Sequence, residues 1–305
     1  MKYFFLSLLL ISISISSAAQ QADSVLVRQH LESIISTPSY RNFRNPDVLN
    51  QVAEYIYTQF SLYADSTFEQ LYEVDGFPYK NVVAVFGPSE ASTIVVGAHY
   101  DVCGDQDGAD DNASGTVALL ELARLLANQQ LSHRFELVAY TLEEPPYFRS
   151  KNMGSYVHAQ SLAQRNIEVY GMVCLEMLGY FQDEKKTQNY PLGLMSLFYG
   201  SKGNYITLVN KFEKGKFSRR FTRIFKQRAN IRTKKITGPV WLEGIDFSDH
   251  LHYWNMGISA LMITDTAFYR NKNYHEKSDT LETLDLGRMC QVIDAVLASL
   301  LQIKG

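Results

Sequence analysis

The run "STIVVGAHY" (residues 92–100) is nearly all apolar and ends beside a histidine. A strand with no polar face needs cover on both sides, as a central strand has in a sheet sandwiched by helices. The rest of the chain keeps the matching rhythm. Strand-like runs at 66–74, 80–87, 134–144, 169–178, 204–210 and 260–266 fall among helical patterns at 113–127, 153–164, 217–228 and 284–303. Residues 24–60 also read as helical. Within them Asn45-Pro46 suits an N-cap and first helical position, and Val48, Val52, Ile56 and Phe60 recur every four residues. The pattern predicts an α/β fold with a mostly parallel central sheet and helices on both faces. One domain is expected over residues 22–305, with room for an insertion or lid at about 180–245.

The N-terminus has a different character. "MKYFFLSLLLISISISSAAQ" carries a basic Lys2, an apolar run to about Ile15 and the small residues Ser17-Ala18-Ala19. This is the pattern of a secretory signal peptide over residues 1–19, with cleavage near Ala19-Gln20. It implies a periplasmic or extracellular protein. The run is too short and too rich in serine for a stable membrane span, and no later segment is long and apolar enough to be one. No cysteine stands at the cleavage point, which argues against a lipid anchor. A net charge of −3 gives no global case for nucleic acid. Three cysteines, Cys103, Cys174 and Cys290, allow one disulfide and one free thiol in an exported protein. Cys174, in an apolar run, reads as a buried thiol. Cys103 follows His99 by four residues. It is open to being a soft metal ligand, but it has no partner cysteine at ligand spacing and reads rather as a spectator.

Acidic and histidine residues gather at the predicted C-terminal ends of strands, the edge where open α/β sheets bind ligands. "GAHYD" (97–101) offers His99 and, two residues on, Asp101. "GADDNASG" (108–115) sets Asp110 and Asp111 side by side before an apolar helix. An N-cap explains one of those carboxylates and not the pair. "TLEE" (141–144) ends the next strand with Glu143 and Glu144. "CLEM" (174–177) embeds Glu176 in an apolar strand, where an unpartnered carboxylate is costly. "NYHEKSDT" (273–280) carries His275 after the last strand. Each motif alone has an ordinary reading as a cap, a turn or a solvated pair. Together, two imidazoles and three carboxylates suit zinc, and suffice for two ions that share one carboxylate.

In this order the motifs resemble those of the M28 family of zinc peptidases, which includes bacterial aminopeptidases. The resemblance runs from about residue 80 to 290 in collinear order. It implies that His99 and Glu176 hold one zinc and that Glu144 and His275 hold a second. Asp111 would bridge the two, Glu143 would be the general base, and Asp101 would orient His99. The implied activity is hydrolysis of N-terminal peptide bonds, so the implied partners are peptide substrates. Glutaminyl cyclases are relatives that use the same ligand layout with a single zinc. They usually carry Trp where this chain has Tyr274. A carboxypeptidase, or an inactive peptide-binding module on the same scaffold, also stays open, although no ligand or base is missing. Two departures stand out: Glu176 replaces an aspartate common in the family, and Pro145-Pro146 replaces a small-residue turn.

Other features are less specific. Asp249 and His250 match a segment near the active site in relatives, for which substrate binding, support of the ligands, or packing and capping are the readings. Ser248 lacks the strand–turn–helix elbow of a serine nucleophile. Residues 211–235 hold eleven Lys or Arg against one Glu, most simply the solvated face of an amphipathic helix. Trp241, Tyr274 and Phe148 are candidates for a substrate-pocket wall.

Overall fold

The computed structural model describes residues 21–213 and 215–304. The leader expected at residues 1–19 lies outside the described residues. Helices α1 (Ser24–Ile35) and α2 (Pro46–Ser61) come first. They form two helices because Pro38 and the residues around it break the helical pattern between them. Strands β1 (Ser66–Val74), β2 (Phe77–Phe86) and β3 (Thr93–His99) follow, then α3 (Gly115–Leu126), β4 (Arg134–Tyr140), α4 (Gly154–Gln164) and β5 (Val169–Glu176). The chain continues through the short α5 (Met195–Tyr199), β6 (Ile206–Lys211), α6 (Gly215–Arg228), β7 (Thr233–Gly238), α7 (His250–Asn255), β8 (Ala260–Thr264) and α8 (Leu286–Gln302).

The eight strands make one sheet in the order β1-β2-β4-β3-β5-β8-β6-β7. Strands β4, β3, β5 and β8 run parallel, and β7 runs parallel to β6. Strands β1 and β2 on one flank, and β6 against β8 on the other, pair antiparallel. Every residue of β3 is buried. Its Ile94, Val96 and Ala98 pack into a core with α1, α2, α3, α6 and α8, while Val95 points to a second core with α4 and α7. The same alternation splits β4, β5 and β8 between the two cores, as the two-residue period of a strand requires.

Strand β7 was not expected. "TKKITG" is too basic to show a buried pattern, and it forms the outer edge of the sheet, where lysines discourage pairing with another chain. On α6, Phe217, Phe221, Ile224 and Phe225 are buried against the core. The basic residues therefore occupy its outer face, as an amphipathic helix predicts. All three cysteines are free thiols, so the disulfide allowed for above is not formed. Among the described residues, no helix is long and apolar enough to cross a membrane.

Candidate metal centre

The parallel strands β3, β4 and β5 all end at one edge, and each delivers part of a cluster. His99 is the last residue of β3, Glu176 is the last of β5, and Glu143 and Glu144 follow β4 by three and four residues. The chain turns sharply at these points. Leu142, Met177 and His275 have φ of 60°, 50° and 59°, a left-handed conformation that non-glycine residues seldom adopt. Two flank the glutamates and the third is the histidine itself, so the backbone is bent where the site is built.

Asp111 comes from the irregular segment before α3. The glycines of "GADDNASG" have a purpose here. Gly108 has φ of 57°, and a Cβ on it would lie 2.2 Å from the Asp111 carbonyl oxygen. A Cβ at Gly115 would lie 2.6 Å from the Leu175 carbonyl oxygen of β5. The small residues thus let the loop press against the strand that carries Glu176.

The cluster has two halves. His99 Nε2 lies 3.4 Å from both Asp111 Oδ1 and Glu176 Oε2. His275 Nε2 lies 3.2 Å from Asp111 Oδ2 and 3.3 Å from Glu144 Oε2. Asp111 therefore shows one oxygen to each half. Glu143 Oε2 is 3.8 Å from His99 Nε2. The seven positions singled out from the motifs come together: His99, Asp111, Glu144, Glu176 and His275 form the ring, Glu143 adjoins it, and Asp101 stands behind it. Asp101 accepts the backbone N–H groups of Glu143 and Glu144 at 3.2 and 3.1 Å, and its carboxylate is 3.5 Å from His99 Nδ1.

The ring is buried, except that His275 is partly exposed, and its charges are strongly coupled. Burial disfavours charge on His99 and His275. The surrounding carboxylates outweigh it and raise both imidazoles well above their ordinary range. Burial likewise pushes Asp111 up, but the neighbouring His275 and His99 imidazoles hold it below the usual carboxylate range. Glu144 is pushed up to about 7 by burial and the charge of Asp111. Burial raises Glu143 and Glu176 as well.

Zinc fits this donor set. Asp111 Oδ2, Glu144 Oε1 and His275 Nε2 are buried yet have no hydrogen-bond partner among the described residues. Buried polar atoms seldom go unpaired, and converging unpaired donors of nitrogen and oxygen are what a divalent ion requires.

Four residues have supporting roles that the motifs do not assign. Asp279 accepts the backbone N–H groups of Asp110 and Asp111, both at 3.0 Å, and so fixes the loop. It stands four residues after His275, in the same "YHEKSDT" stretch. Asn112 donates to the Leu175 carbonyl and accepts from Gly115 and Met177. Ser248 donates to Glu176 Oε2 at 2.6 Å. It supports the buried acid rather than acting as a nucleophile. Arg41 is fully buried and donates to the carbonyls of Tyr100 and Gly108. Of the doubtful candidates, His250 bonds the Ile245 carbonyl and packs edge-on against Trp254, and burial lowers its pKa to about 4. It is a packing residue. Asp249 is buried at the start of α7, and burial pushes it up to about 7.

Beside Glu176 opens a mainly apolar pocket, walled by Ile245, Phe247, Met262, Phe268 and Tyr274. Tyr274 also stacks on His275 with ring centres 3.8 Å apart. Phe148 packs against Phe247 from outside the pocket. Trp241 is 81% exposed and takes no part in the wall, contrary to the expectation for it.

The chain matches the description "Peptidase family M28" over residues 81–300. It is 40% identical to the uncharacterized protein YfbL of Escherichia coli over 95% of this chain and 92% of that protein. A probable leucine aminopeptidase of Arthroderma otae is 28% identical over 72% of this chain, which spans only 56% of that protein. Among solved structures, a leucine aminopeptidase precursor of Bacteroides thetaiotaomicron aligns with a TM-score of 0.70 at 16% identity, covering 94% of this chain and 99% of that one. A glutaminyl cyclase of the same organism aligns with a TM-score of 0.69 at 15% identity, covering 94% and 100%. At such identities these two show the fold alone. The match to that family covers most of the chain: this chain belongs to peptidase family M28.

Proposed function

We propose that the chain is an exported zinc-dependent aminopeptidase. One observation carries the reading: Asp111 turns one carboxylate oxygen to each half of the ring, as a residue shared by two ions would. His99 and Glu176 would complete one half, and Glu144 and His275 the other. Zinc bound there supplies an acidified water and polarises the scissile carbonyl. The protein's own part is proton transfer and positioning. Glu143 adjoins the ring without being needed in either half, which leaves it free to take a proton from water and return it to the leaving amine. Burial raises its pKa, which suits a group that must both accept and release. Asp101 holds Glu143 and Glu144 in register through their backbone N–H groups and steadies His99.

The mainly apolar lining of the pocket beside Glu176 would favour substrates with an apolar first side chain. The leader read at residues 1–19 supports export. On this reading the partners are peptides, and nucleic acid and membrane insertion play no part.

Glutaminyl cyclisation is the second reading, favoured by the near-equal likeness to a cyclase backbone. Metal analysis of the mature protein beside a panel of aminoacyl-anilides and glutaminyl-anilide separates the two. Two zincs per chain with hydrolysis of leucyl- or phenylalanyl-anilide is the expected result. One zinc with cyclisation of the glutamine substrate would replace the aminopeptidase with the cyclase. Within the panel, Glu143→Gln should keep its metal and lose hydrolysis by about 100-fold or more; full activity in that variant would overturn the assignment of the base.

A further inference from the structure

We infer that Cys103 is an additional protein ligand in the His275 half of the centre, closing that half while the His99 half keeps an open position. The inference rests on the zinc reading above. Cys103 Sγ, a Glu144 carboxylate oxygen and a His275 ring nitrogen all lie within 4.8 Å of one another. Asp111 Oδ2 joins them, 3.2 Å from His275 Nε2. Three atoms of this half, Asp111 Oδ2, Glu144 Oε1 and His275 Nε2, are buried without a hydrogen-bond partner among the described residues, and Asp111 and Glu144 are at least 95% buried.

The thiol is held there by its loop. Val102 N donates to the Arg41 carbonyl at 3.0 Å, and Asn42 Nδ2 donates to the Gly104 carbonyl at 2.5 Å. The residues on both sides of Cys103 are thus tied to the buried Arg41 segment. Cys103 is also the only cysteine that is not buried.

The two halves then differ in kind. Sulfur from Cys103, nitrogen from His275 and oxygens from Glu144 and Asp111 make four donors, the number that fills a tetrahedral zinc site. His99, Glu176 and Asp111 Oδ1 make three, the pattern of a catalytic site with one position left for water or substrate. Glu176, in the open half, lines the apolar pocket. Substrate would therefore engage the His99 half, and the His275 half would anchor Asp111 and Glu144. Coordination exchanges the S–H bond for a sulfur–metal bond and releases the thiol proton to solvent.

The test uses the full mature chain loaded with Co(II), whose bond to thiolate adds a near-ultraviolet charge-transfer band. The wild type should show this band as one of its two equivalents binds, and that ion should block alkylation of Cys103 by iodoacetamide. Cys103→Ala should lose the band, release one proton fewer, and bind one of its two ions at least about tenfold more weakly with the other unchanged. Two bound ions with no thiolate band in the wild type would overturn the inference and leave the zinc reading standing. No bound metal at all would overturn both. The wild-type spectrum decides the matter even if the variant fails to fold.

Discussion

Asp101→Asn tests whether the centre is organised from behind. Asp101 is 98% buried, and three donors converge on it: Glu143 N at 3.2 Å, Glu144 N at 3.1 Å and the His99 ring, whose Nδ1 is 3.5 Å from the carboxylate and 3.1 Å from the Asp101 carbonyl. Asparagine keeps the shape but turns one acceptor oxygen into an NH₂ donor. One backbone N–H then faces a donor in a site closed to water. Hydrogen bonds to a charged group contribute about 1.5–3 kcal/mol, and a buried donor left unsatisfied costs about 1–3 kcal/mol. The two figures describe the same loss, so the metal-free variant should be less stable by about 2–3 kcal/mol. The donors belong to the base Glu143 and to two ligands, Glu144 and His99, and zinc affinity should fall by about 10–100-fold. Urea unfolding of the metal-free protein and a competitive zinc titration measure the two effects. An unchanged urea midpoint together with unchanged affinity would refute the placement of Asp101 as an organising residue. Lost stability with unchanged affinity would reduce it to a fold residue.

Two further outcomes follow from other parts of the structure. Glu136 on β4 is buried, and although burial favours its neutral form, His158 and Arg134 bring its pKa down to about 2. A carboxylate depressed in the folded state stabilises above its unfolded pKa and loses that contribution as pH falls toward about 2. The stability gap between wild type and Glu136→Gln, on the order of 3 kcal/mol at pH 6, should therefore shrink as urea midpoints are taken down to pH 3, and a gap independent of pH would contradict the ion pair. Ser248→Ala removes the hydroxyl that donates to Glu176 Oε2 at 2.6 Å. It should weaken one zinc by about tenfold in a direct titration and leave the other alone; equal loss at both ions, or none, would count against the division into halves.

The sheet and its ligand edge were legible because their signals are local. Apolar runs in β3 and β5 mark strands covered on both faces, and His99 and Glu176 end those runs. What stayed hidden depends on contacts between distant residues. Strand β7 is polar because it lies at an edge, so its residues carry no buried pattern. The helical reading of residues 24–60 passed over the break that brings Arg41 beneath the loop of Cys103, a contact across 59 residues to the Tyr100 carbonyl. Ser248 was judged by the nucleophile geometry it lacks. Its partner Glu176 lies 72 residues away, and nothing near Ser248 in the chain points there. Aromatic side chains suggest pocket walls, but Trp241 is exposed and does not line the pocket.

The adjacent pair Asp110-Asp111 shows how two identical side chains are given different work by their surroundings. Asp110 accepts from Gly179 N at 2.9 Å and from Asn271 Nδ2 at 2.8 Å, and burial beside Asp265 raises its pKa. Its carboxyl is used up in tying the loop to the exits of β5 and β8. Asp111 points the other way, receives no such neutral donors on Oδ2, and is held below the usual carboxylate range by two imidazoles. Removing the first should loosen the loop, and removing the second should leave the loop in place and separate the two halves. The doubled aspartate is thus one residue for the scaffold and one for the cation. It has to be doubled because an oxygen that is already accepting backbone and amide hydrogens has fewer lone pairs left to offer a metal.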